Sequence, residues 1–194
     1  MYDYHVVLGI VAAVVGALSF VPYFRDVWRG TTKPHPFTYF AWGLVSAIAF
    51  LAQISAEGGP GAWVNGVVTL ELWAVALISL RWGEKGISAL DWWCLGGALM
   101  GIILWQVTKN PLAAVVLVSM TDALAAAPTF RKSYSQPRQE TALSYALGAL
   151  RSLISIPALT VLSLTTVLYP ATLALVDVAL VAFLLIRRNQ LKTA

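Results

Sequence analysis

Residues 18–28 read LSFVPYFRDVW, and residues 124–134 read LAAAPTFRKSY. At an offset of 106 the two stretches share leucine, proline, phenylalanine and arginine, and Trp28 is matched by Tyr134. In each copy an apolar segment precedes the proline, a short basic segment follows, and another apolar segment comes next. The shared offset predicts one structural unit that the chain uses twice.

The surrounding sequence is typical of an integral membrane protein. Of its 194 residues, 59% are hydrophobic and only 11% are charged, whereas a soluble domain has about 25% charged residues. The mean hydropathy is +0.75, and long apolar runs recur along the whole chain, which leaves an unusually apolar soluble bundle as the weaker interpretation. The basic residues lie between apolar segments, so the net charge of +4 indicates membrane topology and not nucleic-acid binding.

Apolar runs predict the number of helices. A helix that crosses a bilayer needs about 20 mostly apolar residues. Seven segments meet this criterion, some of them marginally: 5–25, 37–56, 62–81, 90–108, 111–129, 142–166 and 170–187. We expect Asn110-Pro111 to begin the fifth helix and Tyr169-Pro170 to precede the seventh. Pro157 is expected to kink the sixth.

Basic residues predict the orientation of these helices. Eleven of the thirteen lysines and arginines fall in the first, third and fifth loops or in the C-terminal tail. Lys109 alone falls on the opposite side, and Arg151 lies within the sixth segment. Because positive charge collects on the cytoplasmic side, the N-terminus is predicted outside and the C-terminus inside.

The repeat extends beyond the proline motif. Gly43 matches Gly148 after a one-residue gap, and Glu71 matches Asp177 at the original offset. Residues 1–85 and 110–194 are therefore predicted to be two three-helix repeats, joined by a linker helix in residues 86–109. A single linking helix gives both repeats the same orientation, so the predicted fold is all-α in a parallel three-one-three arrangement. The alternative is chance similarity between apolar segments, but a true repeat explains better why a proline, an arginine and an acid also match.

This arrangement, with a proline near the cytoplasmic end of helices 1 and 5, resembles the PQ-loop or MtN3/SWEET-like superfamily. The family dipeptide Pro-Gln is replaced by Pro22-Tyr23 and by Pro128-Thr129. The chain is similar in particular to short bacterial membrane proteins with a Thr-Lys-Pro loop and an aromatic-rich helix, here at residues 32–34 and 37–42. The resemblance implies a carrier of the bacterial inner membrane that works by alternating access. It also implies that Pro22 and Pro128 are hinges, with static kinks or helix-end prolines as the alternative.

Four ionisable residues lie inside the predicted spans: Glu71, Asp122, Arg151 and Asp177. A charge at bilayer depth costs about 2.5–3.5 kcal/mol, so such residues normally face the bundle interior or a water-filled cavity. At about 1.5 Å per residue, all four lie about 10–15 Å from the cytoplasmic surface and can meet in one cavity.

The charges of these residues do not cancel, because three carboxylates face a single guanidinium. Asp122 is the expected partner of Arg151, because helices 5 and 6 are consecutive and antiparallel. Glu71 and Asp177 are the better candidates for a substrate or proton site, because the repeat axis brings them face to face. The resemblance implies the same pair, since SWEET-like carriers place polar pocket residues on helices 3 and 7. The alternative is that the four residues form hydrogen bonds that only hold helices together.

Four further residues are candidates for the walls of the site. Asn65 and Gln53 are expected either to line an outer vestibule or to bridge helices. Trp42 and Trp73 are expected to form aromatic pocket walls, as the resemblance implies. His5 has no partner at metal-ligand spacing, and neither does the second histidine, so no metal site is expected. No Gly-rich phosphate loop, HExxH or nucleophile–base pattern is present, so we expect neither an enzyme nor a cofactor.

The sequence thus predicts a membrane carrier for a small polar solute, with proton coupling left open. The alternative is a non-transporting membrane receptor or assembly factor on the same scaffold, which would bind a cytoplasmic partner through loops 1 and 5. The predicted partners are the solute and the lipid bilayer, without nucleic acid. Small residues on several helices allow helices to approach closely, so the sequence is also compatible with a homo-oligomer.

Overall fold

A computed structural model describes residues 3–29, 36–83, 89–135, 137 and 142–193. Every regular element in these ranges is helical, which confirms the predicted all-α class. The elements are α1 (Tyr4–Trp28), α2 (Pro36–Ser55), a 3-10 turn (Gly59–Ala62), α3 (Trp63–Trp82), α4 (Ala89–Thr108), α5 (Pro111–Ala125), α6 (Ala127–Ser135), α7 (Ala142–Ser155) and α8 (Leu164–Thr193). Some residues that the sequence analysis considers lie outside the described part of the chain: the Thr32-Lys33-Pro34 loop, His35, Lys85, Arg138 and the side chain of Pro128.

Among the residues that the structure describes, four helical stretches are long and apolar enough to cross a membrane. They are Tyr4–Arg25, Pro36–Ser55, Gly59–Trp82 and Leu164–Leu191. Trp92–Thr108 and Pro111–Ala125 are shorter apolar helices. By length and composition, therefore, the helices suit integration into a membrane.

The N-termini of α1 and α5 are each capped by a polar side chain. The Asp3 carboxylate accepts a hydrogen bond from the backbone N–H of His5 at 3.0 Å. The Asn110 side chain accepts one from the backbone N–H of Leu112 at 2.9 Å. Pro111 occupies the first turn of α5, where its missing N–H costs no intrahelical bond. The predicted start of the fifth helix is confirmed.

The predicted end of the fifth helix is wrong. α5 ends at Ala125, and a separate helix, α6, begins at Ala127. Pro128 therefore lies in the first turn of α6, where a helix has unpaired N–H groups in any case. Pro22, by contrast, lies in the interior of the continuous helix α1.

The predicted boundary between helices 6 and 7 is also wrong. α7 ends at Ser155, so Pro157 lies in the following turn and not in a kinked helix. α8 begins six residues before Pro170. Its start is stabilised by a reciprocal cap, in which the backbone N–H of Ser163 donates to Thr166 Oγ1 at 3.0 Å and that of Thr166 donates to Ser163 Oγ at 3.3 Å.

The helices before and after α4 make corresponding contacts. α3 packs against both α1 and α2, and α8 packs against both α5 and α7. Between the two sets, α1 contacts α7 and α2 contacts α5. α4 packs against α2 and α5, and α6 packs against α8.

The α2–α3 and α7–α8 connections meet at one end of the bundle, in what we call the loop contact. The backbone N–H of Gly61 donates to the carbonyl of Ala158 at 2.9 Å, and that of Thr160 donates to the carbonyl of Gly58 at 3.1 Å. The Thr160 hydroxyl donates to the carbonyl of Glu57 at 2.8 Å. These three bonds tie together the two sets of helices.

Candidate functional site

The four ionisable residues of the predicted spans come from four different helices. Glu71 lies on α3, Asp122 on α5, Arg151 on α7 and Asp177 on α8. Arg151 lies within electrostatic range of all three carboxyl groups, and Asp122 lies within that of Asp177. The four residues thus form one electrostatic group, which we call the charge cluster.

Arg151 is shared among the acids and is not paired with one of them. Within the described part of the chain, no carboxylate oxygen lies within 4.0 Å of an Arg151 nitrogen. The expected direct ion pair with Asp122 is therefore not formed. The guanidinium carbon instead lies 6.0 Å from the ring centroid of Phe20. The Arg151 side chain also passes close to Gly16 of α1, where a Cβ would make an ordinary van der Waals contact with Arg151 Cδ at 3.7 Å.

Asp122 has a tyrosine partner that the sequence did not reveal. The Tyr169 hydroxyl donates to Asp122 Oδ2 over 3.5 Å. Tyr169 is only 3% exposed, so the pair is shielded from solvent. The only available signal was an acid inside a span without a matching base, and this signal does not say which helix supplies the donor.

Asp177 lies at the crossing of α7 and α8. A Cβ at Gly148 would clash with the Asp177 carboxylate. The matching glycine of the first repeat, Gly43, is covered in the same way by the indole of Trp73. Glu71 and Asp177, the two acids that the sequence repeat pairs, both lie within electrostatic range of Arg151.

Three buried polar atoms around the cluster have no hydrogen-bond partner among the described residues. They are Glu71 Oε2, Arg151 Nη1 and Trp42 Nε1. Leaving such a group unpaired costs about 1–3 kcal/mol, and more when it is charged. A bound polar solute or water supplies the missing partners at sites of this kind.

Aromatic rings border the cluster on the side of α1 and α2. Phe20, Tyr39 and Trp42 pack against the buried face of α3 formed by Val64, Val68 and Leu72. The Tyr39 and Trp42 ring centroids are 5.6 Å apart in an edge-to-face arrangement. Trp42, one of the two predicted wall residues, is among these rings. Phe20 and Tyr39 were missed, although both lie within the motifs at residues 18–28 and 37–42.

Trp73 does not share this environment. It follows Glu71 by two residues, which places it about 200° around α3. Its indole packs on Gly43 and lines an apolar groove on the other side of the α2–α3 pair. The groove is completed by Pro36, Phe37, Phe40, Ala76, Leu77 and Leu80.

Asn65 and Gln53 form a bridge between helices. The Asn65 amide donates to Gln53 Oε1 at 2.7 Å, and the Gln53 amide donates to the carbonyl of Thr166 at 2.6 Å. Asn65 is 3% exposed and Gln53 is fully buried. Their polar atoms thus join α2, α3 and α8, as in the bridging alternative, and the pair does not line an open vestibule.

Comparison with protein-family models, with curated proteins and with solved structures finds no match for this chain. The resemblance to the PQ-loop superfamily stays a prediction that rests on the sequence.

Proposed function

We propose that this chain is a membrane carrier for a small polar solute that works by alternating access. The observation that carries the proposal is the charge cluster, with its unpartnered buried atoms, inside a bundle whose helices suit a membrane. Ionisable groups at membrane depth are expensive, and they mark substrate or ion pathways.

The proposed architecture is two parallel three-helix units, residues 1–85 and 110–194, joined by a helix in residues 86–109. In support, α3 packs against α1 and α2 as α8 packs against α5 and α7. A rotation that exchanges the two units would also exchange the α1–α7 contact with the α2–α5 contact, and both contacts are present. A two-fold axis along the membrane normal produces this pattern.

The proposed orientation places the N-terminus outside the cell and the C-terminus in the cytoplasm of a bacterial-type inner membrane. Arg25 and Arg81 in the last turns of α1 and α3 support it, as do Arg187 and Arg188 near the end of α8. In this orientation the loop contact lies at the outer end.

The loop contact is the part that has to open. It holds the two units together at one end through three hydrogen bonds, and Gln53 adds a fourth to Thr166. Each contributes about 1 kcal/mol net. Together they favour the closed end by a few kcal/mol, which leaves a minor open state of the size that a carrier can populate. Pro22 and Pro128 are the proposed hinges.

Glu71 and Asp177 are proposed to contact the solute or a coupling proton, and Arg151 and Asp122 to stabilise the cluster while it is empty. Because Arg151 acts on several acids without a close ion pair, it can move between them as the units rock. Phe20, Tyr39 and Trp42 exclude water from one side.

The test is solute flux in proteoliposomes that contain the full chain. A panel of radiolabelled sugars, amino acids, amines and carboxylates would be screened by uptake and counterflow. We expect the double variant Glu71→Gln/Asp177→Asn to lose at least about 100-fold in flux, equivalent to about 2.7 kcal/mol. The matched control is Asp3→Asn, which removes a carboxylate at the exposed end of α1 and retains a good N-cap.

Two outcomes count against the proposal. Unchanged flux in the double variant contradicts the assignment of Glu71 and Asp177. No flux for any solute, together with a stoichiometric protein partner that co-purifies, favours the receptor or assembly factor.

A further inference from the structure

The charge cluster narrows the chemical class of the solute. We propose that the solute is a small zwitterion of the amino-acid type, with one ammonium and one carboxylate group. This inference rests on the proposed carrier function and concerns the same site.

The unpartnered atoms set out the complementary groups. Among the described residues, Arg151 Nη1 and Trp42 Nε1 are hydrogen-bond donors without an acceptor, and Glu71 Oε2 is an acceptor without a donor. Their side chains belong to α7, α2 and α3. Phe20 and Trp42 pack against the same buried face of α3, and the Arg151 guanidinium lies over the Phe20 ring. A solute that satisfies all three atoms has to carry an acceptor at one end and a donor at the other.

Charge identifies the acceptor. Arg151 has no carboxylate oxygen of the described chain within 4.0 Å, although three acids lie in its electrostatic range. A solute carboxylate can take the planar, charge-assisted hydrogen bonds that a guanidinium offers. The indole N–H of Trp42 can donate only to an acceptor, so it fits the same carboxylate.

Charge also identifies the donor. The cluster contains three carboxyl groups and one guanidinium, so the addition of an anion without a cation would increase the repulsion at Glu71. An ammonium group donates three hydrogen bonds and brings the positive charge that the acids lack. The rings of Tyr39 and Trp42 beside the cluster suit an ammonium group as well, because aromatic faces attract cations.

Other solute classes fit less well. A simple amine has no carboxylate, so Arg151 Nη1 and Trp42 Nε1 stay without a hydrogen-bond acceptor. A monocarboxylate leaves Glu71 Oε2 without a donor. A sugar hydroxyl can pair with each atom but does not compensate the excess of acids.

The test measures binding to the full-length purified chain by thermal unfolding and ligand titration. The probes are glycine, alanine and leucine, each with its deaminated analogue (acetate, propionate, 4-methylpentanoate) and its decarboxylated analogue (methylamine, ethylamine, 3-methylbutylamine). Glucose represents the neutral polyols. We expect at least one amino acid to raise the unfolding temperature, and each of its two analogues to bind at least about 10-fold more weakly, since one charge-assisted hydrogen bond is worth about this factor.

Two variants assign the ends of the solute. Glu71→Gln is expected to weaken binding of the amino acid at least about 10-fold and to leave the affinity of the deaminated analogue nearly unchanged. Arg151→Gln is expected to do the converse, with the affinity of the decarboxylated analogue retained. The control Asp3→Asn leaves all affinities unchanged. A variant that merely unfolds the protein would abolish every response together.

The results separate the two proposals. If glucose or a monocarboxylate binds and is transported while no amino acid does, the zwitterion inference is overturned and the carrier stands. If the amino acid binds but both analogues bind equally well, the assignment of the two ends is overturned. If no solute is transported, the proposed function fails and the inference fails with it.

Discussion

Residues 4–28 and residues 111–135 contain the same proline motif and have the same length, yet they fold differently. The first is one continuous helix, α1, with Pro22 in its interior. The second is divided at Ala126 into α5 and α6, with Pro128 in the first turn of α6. In the first copy the proline lies inside a helix and removes a backbone hydrogen bond. In the second copy the helix ends just before the proline, which falls in the first turn of a new helix. A repeated sequence motif therefore does not have to give a repeated local structure.

Two further pairs extend the comparison. The matched glycines of α2 and α7 each receive a side chain from the next helix, but Gly43 receives the indole of Trp73 and Gly148 the carboxylate of Asp177. The N-caps of α1 and α5 are a charged Asp3 and a neutral Asn110. The second half supplies three of the four charges of the cluster, whereas the first supplies Glu71 and the three aromatic rings Phe20, Tyr39 and Trp42.

The largest expected effect is at the prolines. Pro22→Ala restores the N–H that a helix interior needs, so it should raise the free energy of unfolding by up to about 3 kcal/mol. Pro128→Ala should change it by less than about 1 kcal/mol, because the first turn has unpaired N–H groups anyway. Thermal unfolding of both purified variants measures the difference, and equal shifts would contradict the contrast between α1 and α5–α6. If Pro22 is a hinge, flux falls as stability rises.

The glycine pair should separate stability from function. Gly43→Ala forces a methyl group against the bulky indole of Trp73, and this overpacking should destabilise the fold by about 1–3 kcal/mol. Gly148→Ala meets only the end of the Asp177 side chain, which can rotate away, so the loss should be below about 1 kcal/mol. Because that rotation moves a carboxylate of the cluster, Gly148→Ala should be the more damaging of the two in flux per folded protein. The reverse order in both measurements would contradict this.

A smaller effect is expected where the two halves meet. Thr160→Val removes the hydrogen bond to the carbonyl of Glu57 and leaves the backbone bonds of the loop contact in place. The closed end should lose about 1 kcal/mol, seen as faster hydrogen exchange at the amides of Gly61 and Thr160. Thr165→Val in the first turn of α8 is the control, and an equal increase there would show a general effect of losing a hydroxyl.

The smallest effect concerns the caps and depends on pH. Hydrogen bonds from the His5 side chain and backbone N–H hold the pKa of the Asp3 carboxyl below its ordinary value. The ionised cap therefore contributes stability above the ordinary pKa, and the contribution is lost as pH falls through the lowered value. Asn110 does not titrate. Asp3→Asn should make the two caps alike and remove the small loss of stability that accompanies protonation of Asp3 as the pH falls below the ordinary carboxyl pKa, measured by thermal unfolding. An unchanged pH profile would contradict it.

Much of the helix content was predictable, and several helix ends were not. The starts of α2, α5 and α7 agree with the predicted segments within one residue. The break at Ala126 and the early end of α7 were missed, because apolar composition continues through both positions. The start of α8 follows from the reciprocal cap of Ser163 and Thr166, a local signal that was present but lay inside an apolar run.

The candidate site was predictable in its charged members only. Glu71, Asp122, Arg151 and Asp177 stand out because ionised groups are rare in apolar segments. Tyr169 does not stand out, since a tyrosine near a helix end is normally explained by the membrane interface. The two tryptophans had equal claims in the sequence, but their surroundings differ. Trp42 packs with Tyr39 against α3, whereas Trp73 packs on Gly43.

The sequence by itself determined that this protein is helical and apolar, that its proline motif occurs twice, and that Glu71 and Asp177 occupy matching positions. Composition and periodicity fix these properties because they depend on each residue and its neighbours along the chain. Only the tertiary structure decided that Arg151 is shared among three acids, that Tyr169 pairs with Asp122, and that Trp73 packs on Gly43. Those contacts join residues of different helices, and their choice depends on how the helices rotate and cross, which no local pattern records.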